Sequence, residues 1–252
     1  LSSGSFNSYS GGISCNFSVF DKVTHSLGIS YLSSSGNYQF TTYQFGEKKD
    51  YKRENGGFSN FSTFLSNKIE FDNSLLKANF FFSSARRGVP GAVLQNQIES
   101  KRAKLDDRFY FGSLNYLGQI FDSSFISVSI DAKVLSNWFF DPDGIGIITK
   151  KETVHFSNNE LHSSFNFSHT NKWFKSDILA EWTFSSLTGD MLQPEVGNYV
   201  QRFSQAIGLA LTKDLLVQQM PIELLASYRF FFGRYKSRFA PKTFGDEDYV
   251  CE

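Results

Sequence analysis

The chain has 252 residues, with 25 basic and 25 acidic side chains and a formal net charge of zero. No basic stripe dominates, which argues against nucleic acid as a partner. No run of about 18 apolar residues is present either, so a transmembrane helix is excluded.

Phenylalanine occurs 29 times and tyrosine 11 times, against five prolines and two methionines. Aromatic and β-branched residues favour strands, and Gly, Ser and Asn punctuate them. No amphipathic helix-period segment stands out, and the nearest candidate, Ala206 to Leu216, alternates at least as well with period two. The expected class is all-β. Cys15 and Cys251 lie at opposite ends with no metal-ligand spacing, so neither a disulfide nor a zinc site follows from them. The opening Leu1-Ser2-Ser3-Gly4 has no basic n-region and no apolar core of a signal peptide.

In chain order, Leu1 to Phe6 reads as the tail of a strand, closed by a tight turn at Asn7-Ser8. Gly12 to Phe20 alternates Ile13, Cys15, Phe17 and Val19 against Ser14, Asn16 and Ser18. A short turn at Asp21–Thr24 leads to a strand over His25–Ser34, and a long polar loop is expected over Ser35–Gly57. Phe58 to Glu70 is the next strand, followed by a short turn at Phe71–Ser74. Leu75 to Ser84 then runs into a loop holding Arg86-Arg87-Gly88-Val89-Pro90-Gly91 and a charged run from Glu99 to Arg108. The chain returns along Phe109–Tyr116 to a turn at Phe121–Ser124. Phe125 to Phe140 is the clearest strand, with Ile126, Val128, Ile130, Ala132 and Val134 opposed to Ser127, Ser129, Asp131 and Lys133. A loop around Asp141-Pro142-Asp143-Gly144 precedes a strand over Val154–Thr170. Lys175 to Ser186 sets Ile178, Ala180, Trp182 and Phe184 against Glu181, Thr183 and Ser185. A loop over Thr188–Asn198 leads to a last hairpin, Tyr199–Thr212 and Pro221–Arg234, closed near Lys213-Asp214.

Connections are expected to alternate strictly between short turns and long polar loops. Aromatics flank the short turns at Phe20, Phe71, Phe121 and Trp173-Phe174, the first three about 50 residues apart, a repeat of architecture rather than of sequence. A soluble sandwich is the alternative, but its strands are mostly about five to six residues long. An outer-membrane barrel demands longer strands, short turns at one end, long loops at the other, and aromatic girdles at the interfaces. Closure also leaves no unpaired edge in lipid. Polar mid-strand residues such as Asp131, Lys133, Glu181 and Arg229 would then line the lumen, and a mean hydropathy of −0.28 is compatible because only alternate residues meet lipid. The expected fold is an antiparallel up-and-down transmembrane β-barrel. Roughly ten complete strands and a partial one are present, residues 1–252 forming one partial barrel domain.

Ser5-Phe6-Asn7-Ser8-Tyr9 through Phe20-Asp21-Lys22 resembles the first barrel strands of TonB-dependent outer-membrane receptors. Ser33-Ser34-Ser35-Gly36-Asn37-Tyr38, with Arg53-Glu54-Asn55, resembles that family's first long outer loop. Arg87-Gly88-Val89-Pro90-Gly91 after Phe80 resembles the cobalamin-receptor-like branch. The resemblance implies a barrel of about 22 strands that imports a scarce nutrient, cobalamin or an iron chelate, across the bacterial outer membrane. TonB would engage it through an N-terminal plug region that this sequence does not include. Outer-membrane lipid and the nutrient are the other implied partners. The alternative is a passive porin-like or adhesin barrel, and after that a soluble all-β binding module.

No arrangement of residues looks catalytic, and neither a cofactor nor a metal is expected. His155, His162 and His169 are spaced by seven without metal-ligand meaning, and Asp141–Gly144 matches only a fragment of a calcium loop. Aromatic and polar groups on outer loops are the usual means of capturing a bulky ligand. The candidate ligand-binding residues are therefore Asn37, Tyr38 and Tyr43 in the first long loop, Arg86, Arg87 and Gln95 in the second, and Trp138 and Asp143 in the third.

Overall fold

The computed structural model describes residues 2–44, 46–90, 102–142, 153–190, 199–217 and 220–237. The described residues form β1 (Ser2–Gly4), β2 (Ser8–Val19), β3 (Val23–Ser34), β4 (Tyr38–Gln44), β5 (Glu47–Arg53), β6 (Phe58–Glu70), β7 (Ser74–Gly88), β8 (Lys104–Phe121), β9 (Ser124–Phe140), β10 (Thr153–Thr170), β11 (Lys175–Gly189), β12 (Tyr199–Val217) and β13 (Met220–Ser237). Eleven of these make one sheet in the order β1-β2-β3-β6-β7-β8-β9-β10-β11-β12-β13, while β4 and β5 form a separate hairpin. Every pairing is antiparallel. With the hairpin set aside, the sheet is an up-and-down meander. It has ten long strands and the short β1, as the sequence pattern implies. It is open, with β1 at one edge and β13 at the other. Closure into a barrel is therefore not a property of the described residues.

Period-two alternation fixes the register, because a one-residue slip would exchange the two faces of a strand. One row of laterally paired residues crosses the sheet as Leu27, Leu65, Phe80, Gly112, Ala132, Leu161, Phe184 and Phe203. A row on the opposite face runs Ser26, Ser66, Asn79, Ser113, Asp131, His162, Thr183 and Ser204. One face is thus apolar and the other hydroxylic and charged. That separation extends over eight consecutive strands.

The turns of one end are stitched together. The turn at residues 20–22 accepts a hydrogen bond from the Glu70 amide on the Lys22 carbonyl (2.8 Å). Gln119 N–H donates to Asn73 (2.8 Å), and Thr170 N–H donates to Ser123 (2.9 Å). Lys22 Nζ also lies 2.6 Å from Asp72 Oδ1, and its hydrogen bond and charge hold the Asp72 carboxyl below the usual carboxylate range. The Phe20 backbone is left-handed, with φ near 61°. That conformation is uncommon for a bulky residue and here belongs to a three-residue turn.

Several expectations need correction. The alternation of short and long connections begins only after β2. The β1–β2 connection, Ser5-Phe6-Asn7, is as short as the β2–β3 connection and lies at the opposite end. The stretch Ser35–Gly57 is not simply a polar loop, because it contains the hairpin β4–β5 with Phe40 stacked on Tyr51 at 5.7 Å between ring centroids. The last hairpin is not closed at Lys213-Asp214. β12 continues to Val217, which pairs with Met220, because Leu215, Leu216 and Val217 carry the strand onward.

Candidate functional site

Among the described residues, nothing forms a covering layer over the apolar face. Among the described residues only the main sheet and the β4–β5 hairpin are formed, and the buried hydrophobic residues reduce to Ala103, Val154 and Ala206. Ile13 is 76% exposed, and Leu114, Ile130, Leu161, Ile207 and Phe230 are exposed with it. A water-soluble antiparallel sheet hides such a face under a second layer. The sandwich alternative expects that second sheet, and the described residues do not form one.

The uncovered face has a definite height. On β9 its apolar run is Ile126–Val134, on β8 Tyr110–Tyr116, on β10 Leu161–Phe167 and on β11 Ile178–Phe184. These runs approach the roughly 9–11 residues of a membrane-spanning strand. At the short-turn end the belt reaches the turns, where Phe20, Phe71, Phe121, Trp173 and Phe174 are exposed. At the other end the strands overrun it. The sheet continues through Arg86–Gly88, Lys104–Arg108, Ser136–Phe140 and Thr153–Asn159, where charged and polar residues are mixed with aromatics on both faces.

The opposite face carries a chain of side-chain hydrogen bonds. Ser66 donates to Asn79 Oδ1 (2.6 Å), and Asn79 donates to Ser113 (2.9 Å). Ser129 and Ser164 hydroxyls pair at 2.7 Å. Lys133 Nζ lies 2.9 Å from Glu160, and His162 Nδ1 lies 3.5 Å from Asp131. Arg229 of β13 reaches across β12 to Glu181 of β11 at 2.5 Å. Its path crosses Ala206 and Gly208, whose small side chains leave the way open.

The overrunning strands form a rim, and here the predicted ligand residues are sorted. Arg86 and Arg87, expected in a loop, are in β7. Arg86 forks onto Asp106 of β8 with Nε to Oδ1 at 2.7 Å and a terminal nitrogen to Oδ2 at 2.8 Å. Arg87 points to the other face and bonds Asp107 at 3.1 Å, which also accepts from Asn137 at 2.5 Å. Trp138, grouped with the third-loop candidates, is in β9, within the strand expected over Phe125–Phe140. The Arg108 guanidinium lies over its ring at 4.8 Å, and the His155 ring stacks on it at 4.8 Å. Arg86, Asp106, Arg108, Trp138 and His155 thus share the side of the apolar face. The correction at Arg86 and Arg87 has a physical cause: backbone pairing continues past Ser84, where the hydrophobic alternation has stopped.

Asn37 is exposed just before β4, and Tyr38 and Tyr43 belong to β4 rather than to an irregular loop. Tyr38 packs on Phe6 (5.7 Å) and Phe40 (5.9 Å), extending the stack to Tyr51. Tyr43 is 73% exposed near the hairpin tip. Gln95 and Asp143 lie outside the described residues. The hairpin is fixed to the rim by Arg53 donating to the Pro90 carbonyl (3.2 Å) and Asn55 donating to the Ala103 carbonyl (2.8 Å). Asp106, Asp107, Arg108 and His155 escaped the sequence reading. The complementarity of Arg86-Arg87 with Asp106-Asp107 is the signal that would have found the first two. Among the described residues, no group of three or more His, Cys, Asp and Glu is placed to hold a metal.

No protein-family model matches the sequence, and no curated protein matches it. Solved structures do. The chain is similar to the ferric-catecholate import receptor Fiu from E. coli K12, with a TM-score of 0.60 and 12% identity, over 99% of this chain and 46% of that one. It is similar to the siderophore receptor PiuA from Acinetobacter baumannii, with a TM-score of 0.58 and 9% identity, over 95% of this chain and 46% of that one. The chain therefore spans somewhat under half the length of either structure, and at such identities the likeness is one of fold: an antiparallel meander similar to part of an outer-membrane receptor.

Proposed function

We propose that the chain is a wall segment of a TonB-dependent outer-membrane receptor that takes up an iron chelate. One observation carries this reading: an uncovered apolar belt of membrane-spanning height, continuous across the sheet, with short aromatic-flanked turns on one side and overrunning strands on the other. In a barrel that belt meets outer-membrane lipid, and the hydroxylic and charged face lines the lumen. The likeness to two siderophore receptors supports an iron chelate over cobalamin, which remains the other cargo compatible with the Arg87–Gly91 motif. The role is capture and transport rather than catalysis, with TonB acting through a plug region outside this segment. The β4–β5 hairpin, with Asn37, Tyr38 and Tyr43, is the ligand-facing element on the loop side.

The test is fractionation followed by uptake. The full-length protein should partition with outer membranes and support accumulation of a radiolabelled ferric chelate in iron-starved cells, and deleting TonB should abolish that accumulation. Accumulation that persists without TonB favours a passive porin, and recovery in the soluble fraction overturns the membrane reading altogether.

A further inference from the structure

The cationic row on the rim is placed for something other than cargo. Arg86 and Arg108 share the face of the apolar belt just beyond its end: Arg108 is the next residue on that face after Tyr110, and Arg86 follows Phe82 with Ser84 between them. Lys104 continues the row, paired with Gly88 and Phe140. Three cations therefore surround the single carboxylate of Asp106 on this face. Both arginines are exposed.

We propose that Arg86 and Arg108, with Lys104, bind the phosphate of an anionic lipid headgroup in the leaflet facing the loop end. The inference rests on the membrane reading above, since only then does the belt set the depth of the headgroups. The chemistry is that of guanidinium and phosphate, planar donors meeting several oxygens of one anion. Arg86 is held in place by its fork on Asp106, which uses two of the five N–H donors of the guanidinium. Arg108 is held with its guanidinium carbon 4.8 Å from the centre of the Trp138 ring, which is itself backed by His155. A cation–π contact occupies the flat side of a guanidinium and leaves its edge donors for an anion. Both arginines are thus oriented before any lipid arrives, which lowers the cost of binding. Arg87 supplies an internal control, because it is adjacent in sequence but belongs to the other face, on Asp107.

The experiment is to purify the full-length protein from outer membranes in mild detergent and count phosphorylated lipid retained per protein by native mass spectrometry. The variants are R86Q/R108Q and R87Q, with added inorganic phosphate as competitor. Each surface cation contributes about fivefold, so the double variant should retain phosphorylated lipid roughly 30-fold more weakly. R87Q should match the wild type, and millimolar inorganic phosphate should not displace the lipid. Unchanged retention in R86Q/R108Q, an equal loss in R87Q, or displacement by free phosphate overturns the proposal while leaving the membrane reading intact. Absence of the wild-type protein from the outer membrane overturns both.

Discussion

Placing arginine in the middle of the apolar belt tests the face assignment directly. Ile130 is the centre of the run Ile126–Val134 on β9, exposed, and paired with Leu114 on one side and Ser163 on the other. An arginine at the midplane of an outer-membrane barrel costs about 2–4 kcal/mol, and near the interfaces about 0–1 kcal/mol. Each residue advances about 3.4 Å along a strand, and strands tilt by about 40°, so Val134 sits about 10 Å from the plane of Ile130. Ile130→Arg should therefore destabilise the folded protein in phospholipid vesicles by about 2–4 kcal/mol, and Val134→Arg by about 1 kcal/mol. Ser129→Arg enters the face shared with Asn115 and Ser164 and should cost only the lost hydroxyl pair with Ser164, about 1 kcal/mol. Reversible guanidinium titration of the full-length protein in vesicles gives the three values. Equal costs at Ile130 and Ser129 would refute the face assignment. Equal costs at Ile130 and Val134 would mean that packed protein, rather than a bilayer, covers this face.

Other consequences are open to simpler measurements. At Gly28 an added Cβ would fall 2.1 Å from Phe64 Cε1, so Gly28→Ala must push the ring off its rotamer and should cost about 1 kcal/mol. In a Phe64→Ala background the same change should be neutral or slightly stabilising, and a denaturation double-mutant cycle distinguishes the two. The Lys22–Asp72 pair contributes stability that is fully present above the ordinary carboxyl pKa of 3.8 and is lost as pH falls through the lowered folded value. Melting curves of wild type and Asp72→Asn should therefore differ at neutral pH and low salt and converge in strong acid. Tyr43→Ala should weaken binding of the ferric chelate about tenfold without changing membrane insertion, and retention of full affinity in a binding titration would remove the hairpin from the ligand site.

The sequence showed the strands where their two faces meet different surroundings, and lost them where both faces are polar. β6 was read with both ends in place, Phe58–Glu70, because the Gly56-Gly57 pair before it and the Asp72-Asn73-Ser74 turn after it bound the segment. β7 was cut at Ser84, although pairing continues through Arg86 to Gly88. Above the belt, Arg86 and Arg87 are both polar and period two disappears from the sequence while the backbone ladder persists. For the same reason the start of β8 at Lys104 was assigned to a loop. The β4–β5 hairpin was missed because its return arm, Glu47–Arg53, is mostly charged, and only Tyr51 marks the face that meets Phe40. Rim contacts such as Arg108 on Trp138 lie some fifteen pairs from the β8–β9 turn, where the alternation that fixes the register along the belt no longer marks which side chains share a face.

The overrun of the strands past the apolar belt also bears on how this surface can change over generations. A residue inserted within the paired rim, between Ser84 and Gly88 for example, would shift the face of every side chain beyond it and break the ladders to both neighbours. An insertion outside the paired segments leaves the ladders in register and adds loop closure of about 0.6 kcal/mol for each doubling of loop length. The rim thus works as a bulkhead, separating a register that cannot drift from connections free to lengthen, shorten and take on a new cargo.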